Sequence, residues 1–232
     1  MRENNGINNA PQATIIINNL IFGFDGKQLN ILLVQAQDGP FIGSWILPTM
    51  IWEKGDFSEL ATKNVEKLTN TAPSFINQAK TYSHTKNSTN ETTIALSFIS
   101  GVHFEETNIL NIQNEQNGQW WSVRELPKLG YNQNVMVKDA IEKIRQQIYF
   151  EPIAFYLAKR VFTITELQTI YELILDRTFD RRNFSKKMLL SGALRKARRP
   201  ELLISKAHSF YAFNIRGYNI LKRTANGNRF EF

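Results

Sequence analysis

A chain of 232 residues with 42% hydrophobic and 21% charged side chains has the balance of a globular protein, not a disordered one, and is long enough for one large or two modest domains. Cysteine is absent, which excludes disulfides and thiolate metal sites. The net charge of +7 is uneven: residues 151–232 carry 16 Lys and Arg against 7 Asp and Glu, a net +9, whereas residues 1–150 carry 12 against 14, a net −2. An excess of positive charge in one half is expected where one domain meets a polyanion and the other does not.

The opening MRENNGINNAPQ is polar and lacks the apolar centre of a signal peptide, and no run of about 18 apolar residues spans a membrane. The expected location is the cytoplasm. Two β-rich runs follow, residues 14–23 (TIIINNLIFG) and 29–35 (LNILLVQ), separated by Asp25 and Gly26, a pair that favours a tight hairpin turn. Residues 39–48 read GPFIGSWILP and precede a helical segment. A polar stretch, HTKNSTNE (84–91), and a Trp120, Trp121, Glu125, Leu126, Pro127 cluster come next. A helix rich in Lys, Glu and Arg over 136–148 then runs into Pro152. The residue before a proline is biased out of helical geometry, so a domain boundary is expected at 149–153, giving domains 1–150 and 151–232.

In the second half, Thr163 with Glu166 three residues on forms a capping box, and Leu167, Ile170, Tyr171 and Ile174 recur on one helical stripe. After residues 176–179 the pattern restarts. Phe184 and Met188 share one side, while Arg182, Ser185 and Lys186 lie on roughly the opposite side, flanked by Arg181, Asn183 and Lys187. Arginine and asparagine can make paired hydrogen bonds to guanine and adenine edges, and lysine neutralises phosphates. A solvated cationic helix face is the plainer alternative. From Leu194 the chain reads LRKARRPELLISKAHSFYAF, expected as a basic turn followed by strands at 202–204 and 210–213. Helix, turn, helix and basic hairpin make a winged helix. Its second helix would enter the major groove, and Arg195, Lys196, Arg198 and Arg199 would reach the backbone or the adjacent minor groove.

GPFIGSWILP resembles the P-F-x-G-x-W-x-L-P that opens Nudix domains, and the Trp120 to Pro127 segment is similar to the W-x-x-x-x-E-L-P near their end. With FTITELQTIYELIL and FDRRNFSKKM, nearly the whole chain resembles the NrtR-type Nudix-related transcriptional regulators, including the sugar-responsive members of Bacteroides-like bacteria. The resemblance implies an α+β protein: a Nudix-type mixed-sheet α/β/α sandwich followed by a winged helix-turn-helix domain. It also implies a homodimer assembled mainly through the Nudix domains, on a palindromic double-stranded DNA operator.

The Nudix box, G-x5-E-x7-R-E-U-x-E-E-x-G-U, uses glutamates to bind magnesium. Anchored on Leu47 and Pro48, its glycine falls on Met50, its first glutamate on Asp56, and its three core glutamates on Val65, Leu68 and Thr69. Glu66 is out of register by one residue, about 100° around a helix. The expectation is therefore a sensor and not an enzyme, with no catalytic residues, no cofactor and no metal site. By resemblance, Gln35, Trp52, His84, Lys86 and Glu91 mark the ligand pocket. The stretch 84–91 has one lysine and no arginine, which suits a neutral sugar better than a diphosphate such as ADP-ribose. The alternatives are an ADP-ribose or related nucleotide sensor, an active Nudix hydrolase, and a module that binds RNA or protein. Trp45, Trp52, Trp120 and Trp121 otherwise serve as core.

Overall fold

The computed structural model describes residues 13–86, 91–107, 109, 112–113, 117–198 and 209–224. Two long strands set the frame: β1 (Ala13–Phe24) and β2 (Leu29–Gln35) form the expected antiparallel hairpin, with Phe22 opposite Ile31 and Phe24 opposite Leu29. The connection spans four residues and not a two-residue Asp-Gly turn. Asp25 Oδ1 accepts from the amides of Lys27 and Gln28, and Gly26 at φ +98° takes the backbone where a side chain would be strained. The strands β3 (Trp45–Ile46), β4 (Thr49–Ile51), β5 (Phe75–Lys86), β6 (Glu91–Val102) and β7 (Gly118–Ser122) complete one mixed sheet in the order β3-β2-β1-β6-β5. β4 pairs with β1 and β7 with β2. The β1–β6 pair is parallel, from Ala13 opposite Thr92 to Gly23 opposite Val102.

Both faces of β1 are covered, so its alternating residues feed two cores. Ile17 and Ile21 pack beneath α1 (Phe57–Thr69) with Leu32, Ala61, Val65, Leu68, Leu96 and Phe98. Leu20, Phe22 and Phe24 face the opposite way, into a core shared with α2 (Asn134–Gln147), α3 (Ile153–Leu157), α4 (Ile164–Leu175) and α5 (Arg181–Leu190). The helix expected at 136–148 is α2, displaced by a residue or two at each end. A short two-stranded sheet, β8 (Leu194–Ala197) with β9 (Phe210–Phe213), and α6 (Ile215–Thr224) follow.

The segment expected to separate two domains is packed at Pro152 and Ile153 and on both flanks, while Phe150 within it is exposed. Ile148, Ile153, Ala154, Phe155, Leu157 and Ala158 are all buried. Polar bonds cross at the same place: Ser74 Oγ donates to Tyr156 O (2.7 Å), Tyr218 Oη to Phe150 O (2.6 Å), and His103 Nδ1 lies 2.7 Å from Ala158 O. His103 thus has a structural partner. Arg160 pairs with Glu106 across the same junction. The hydrogen bond from the guanidinium, above all, holds the Glu106 carboxyl below its ordinary range. A depressed carboxyl stabilises the fold above its unfolded value and loses that contribution as pH falls through the folded one. Arg160→Ala is therefore expected to lower the melting temperature slightly at neutral pH and not at all in strong acid. The arginine is mostly exposed, so added salt should shrink the difference. An equal deficit at every pH would show that Arg160 acts through packing.

Candidate nucleic-acid interface and ligand groove

Local chemistry builds the helix pair. Thr163 Oγ1 accepts from Glu166 N (3.2 Å) and Glu166 Oε2 from Thr163 N (2.8 Å), so the capping box forms as expected. Leu167, Ile170, Tyr171 and Ile174 are buried on one stripe. α4 ends where Asp176 turns left-handed at φ 52°. The turn is then strapped back onto α4: Gln168 Nε2 donates to Phe179 O (2.9 Å), and Glu172 Oε1 accepts from Phe179 N (2.9 Å) and Gln168. Asp180 caps α5 by accepting from Asn183 N (2.9 Å).

Phe184 and Met188 anchor α5, with the Phe184 ring 5.6 Å from Tyr171 and 5.7 Å from Phe179. Arg181, Arg182, Asn183, Lys186 and Lys187 are exposed and Ser185 is half-buried, so these candidates share the outer surface. Arg177, which the sequence pattern did not single out, extends that surface, its guanidinium 4.7 Å over the Phe179 ring. The wing differs from expectation. The basic segment is itself the first strand: Arg195 pairs with Ala212 and Lys196 with Tyr211 in β8–β9. Arg195, Lys196 and Arg198 are exposed. Arg199, His208 and the expected strand at 202–204 lie outside the described residues. The signal for β8 was weak because Leu194 to Ala197 is a polar edge strand whose pairing partner lies well downstream in sequence.

On the opposite face of the sheet, α1 carries the segment aligned with the Nudix box. Val65 and Thr69 are 0% exposed and Leu68 is 7% exposed; Glu66 points to solvent. The stripe aligned with three glutamates is dry core, and Thr69 Oγ1 bonds back to Val65 O (2.8 Å). Among the described residues no group of three or more His, Asp or Glu is placed to hold a metal ion. The resemblance-based ligand residues are spread along the sheet. His84 and Lys86 sit on the edge strand β5, Lys86 opposite Glu91. Gln35 pairs with Trp45 at the β3 side. Trp52 follows β4, its ring tilted 49° to that of Phe57 at 5.2 Å and its Nε1 donating to Gly55 O (3.0 Å). Trp45 packs edge-on to Trp121 (5.5 Å), and Trp120 against Phe104 (5.2 Å), which is structural use.

A groove of about 450 Å³ lies between β5 and α2, lined by none of those ligand residues. Here β5 slips register between Gln78 and Thr81. Ser97 Oγ accepts from Lys80 N (3.0 Å) and donates to Lys80 O (2.6 Å), while Lys143 Nζ donates to Gln78 O (2.9 Å) and Ala79 O (3.1 Å). Asp139 Oδ2 accepts from Lys80 Nζ (2.6 Å) and Tyr82 Oη (2.8 Å). Those two bonds hold the Asp139 carboxyl below its ordinary range, and desolvation, then the Asp139 bond, pushes the Tyr82 hydroxyl up.

Sheet, flanking helices and hairpin-bearing helix pair thus define a Nudix-like domain followed by a winged helix domain, an α+β protein. Comparison with known proteins agrees. Residues 154–213 match the family model of the NrtR DNA-binding winged helix domain. The chain is similar to an ADPR responsive transcriptional repressor, NtrR, of Acinetobacter baylyi, with 21% identity over 90% of this chain and 85% of that protein. In fold it is similar to Shewanella oneidensis NrtR complexed with a 27mer DNA (TM-score 0.78, 17% identity, 93% of this chain and 97% of that one). It is also similar to a MutT/nudix family protein from Enterococcus faecalis (TM-score 0.68, 16% identity, 88% of each). No helix among the described residues is long and apolar enough to cross a membrane.

Proposed function

We propose that this protein is a transcriptional regulator that binds duplex DNA through α5 and the wing, and that its Nudix-like domain senses a small metabolite without hydrolysing it. The observation that carries the DNA-binding role is the cationic outer face of α5, anchored by Phe184 and Met188 within a segment that matches a DNA-binding winged helix. Arg182→Ala is then expected to cost about 1–3 kcal/mol of operator affinity at fixed salt, measured by fluorescence anisotropy. Equal loss on operator and random duplex would reassign Arg182 to phosphate. Binding of RNA as tightly as duplex DNA would favour the RNA-binding alternative. A homodimer would match a palindromic operator through its own two-fold axis.

Burial of Val65, Leu68 and Thr69 supports sensing over hydrolysis, because a hard cation needs oxygen ligands that this stripe lacks. Magnesium-dependent release of AMP or phosphate from ADP-ribose, abolished by chelation, would establish the enzyme instead. For the effector, the Acinetobacter baylyi relative's response to ADPR supports ADP-ribose or a related nucleotide, and its description as a repressor supports repression. That support outweighs the sequence-based preference for a sugar. A sugar remains the second candidate on one observation: the cations of the β5–α2 groove are matched by carboxylates or carbonyls. A thermal-shift screen of pentoses, hexoses, their phosphates, ADP-ribose and nicotinamide nucleotides separates the two. A ligand at a hundred times its dissociation constant stabilises by about 2.7 kcal/mol. A shift with ADP-ribose and none with free sugars supports the nucleotide; the reverse supports the sugar.

A further inference from the structure

The match to the DNA-binding winged helix stops at Phe213, yet the chain runs on into α6, whose sequence IRGYNILKRT carries a glycine that an isolated helix would do better without. A Cβ on Gly217 would clash with Gly192 O and with the Asn214 side-chain amide, so the missing side chain lets α6 come up against the turn that follows α5. Gly192, left-handed at φ 69°, is where the chain leaves α5 for the wing.

Asn214, the first residue beyond the matched segment, makes this join with both ends of its amide. Its Oδ1 accepts from Gly217 N (3.2 Å), which satisfies an amide at the start of α6, while its Nδ2 donates to Gly192 O (3.0 Å). Its backbone does the same: Asn214 N donates to Ala193 O (2.8 Å), and its carbonyl accepts from Tyr218 N (2.9 Å). One residue therefore starts α6 and holds the exit of α5. A turn further on, Tyr218 is buried, its ring edge-on to Phe213 at 5.8 Å and its Oη donating to Phe150 O (2.6 Å). Another turn on, Lys222 pairs with Glu151 (3.1 Å). Phe150 and Glu151 belong to the connection from α2 to α3, so α6 reaches from the end of α5 to the point where the sheet domain passes into the winged helix.

The rest of α5 is held differently. Phe184 and Met188 pack it against α4, and Asp180 caps its first turn. Only the join at Gly192 ties it to an element moored on the α2–α3 connection. A helix that must meet base edges gains from a fixed angle, because ordering it on binding costs affinity; phosphate attraction tolerates a looser one.

We propose that Asn214 and Tyr218 are positioning residues for DNA binding, which through α6 fix the angle at which α5 is presented to the duplex. The proposal rests on the regulator assignment above. Asn214→Asp keeps an oxygen to cap α6 and sets an acceptor against Gly192 O, so the helix still starts while its hold on α5 is lost. Tyr218→Phe keeps the ring and removes only the bond to Phe150 O. The duplex is the one that the wild-type chain selects from a randomised pool, compared by anisotropy with a random duplex of equal length at fixed salt. Each variant should lose about tenfold on the selected duplex, the worth of one hydrogen bond broken with its acceptor left unpaired. Tyr218→Phe changes no charge and should bind the random duplex as wild type does. Asn214→Asp adds a negative charge and should lose a little there too, but less than on the selected one. Both should melt close to wild type. Equal losses on the two duplexes, or full affinity for the selected one, overturn the positioning role.

Hydrogen exchange of the free variants reads the join without DNA. Amides of residues 188–197 should exchange faster in Asn214→Asp than in wild type, and unchanged exchange overturns the hold of α6 on α5. A wild-type chain that selects no duplex removes the regulator assignment and the positioning role with it, and exchange then decides the join alone.

Discussion

Phe184→Ala is expected to destabilise the protein by about 3–5 kcal/mol, the usual cost of truncating a buried phenylalanine. Phe184 is 1% exposed and meets Tyr171 edge-on at 5.6 Å, with Phe179 at 5.7 Å. It is one of two buried residues that hold α5 against α4, and α5 is otherwise polar and cationic. Losing the ring leaves a cavity that the strapped turn at 176–180 cannot collapse to fill. At about 2–4 °C per kcal/mol for a chain of this size, the melting temperature should fall by roughly 10 °C. DNA binding should weaken because the helix no longer has a fixed orientation. Arg182→Ala supplies the contrast, since it should reduce affinity and leave the melting curve in place. A Phe184→Ala protein that melts with wild type would show that α5 is not held by this contact. Because one core runs from β1 through α5, calorimetry should show a single transition in both proteins.

The second large effect is expected from putting a carboxylate back where a Nudix hydrolase would carry one. Val65→Glu introduces an ionisable group at a position with no exposure, among Ile21, Leu32, Leu68 and Val102. Burying an unpaired carboxylate costs several kcal/mol, and the group answers by raising its pKa. The sign of the pH dependence follows. The buried neutral acid is tolerated best at low pH, and the destabilisation grows as pH rises above the ordinary glutamate value. Urea denaturation across pH, with and without magnesium, reads this directly. Glu66→Ala, on the exposed face of the same helix, should change little. Stabilisation of Val65→Glu by magnesium would mean that the stripe still faces a site open to water, and would reopen hydrolysis.

The parts legible in the sequence are those set by short-range rules. The capping box at Thr163 and the Leu167, Ile170, Tyr171, Ile174 stripe depend on contacts three or four residues apart, and they form as the spacing predicts. The first hairpin and α2 were located for the same reason, with only the turn length of the hairpin misjudged because Asp25 caps two amides and lengthens the loop. Where pairing is distant, local signals failed. Residues 194–197 look like a basic turn until Phe210–Phe213 supplies a ladder. The ligand residues inferred by resemblance are spread over β2, the segment after β4, β5 and β6, and sequence order says nothing about which strands become neighbours.

The sequence by itself determined the two classes of domain, the cationic face of α5 and the loss of glutamates from the Nudix box, since each is a matter of residue type at a fixed spacing. Only the tertiary structure decided that one buried core continues past the presumed boundary, that the box stripe is dry, and that a bulged edge strand opens a groove against α2. Those outcomes depend on which distant faces meet. Burial area and hydrogen-bond satisfaction settle that choice over the whole chain, and no single segment encodes it.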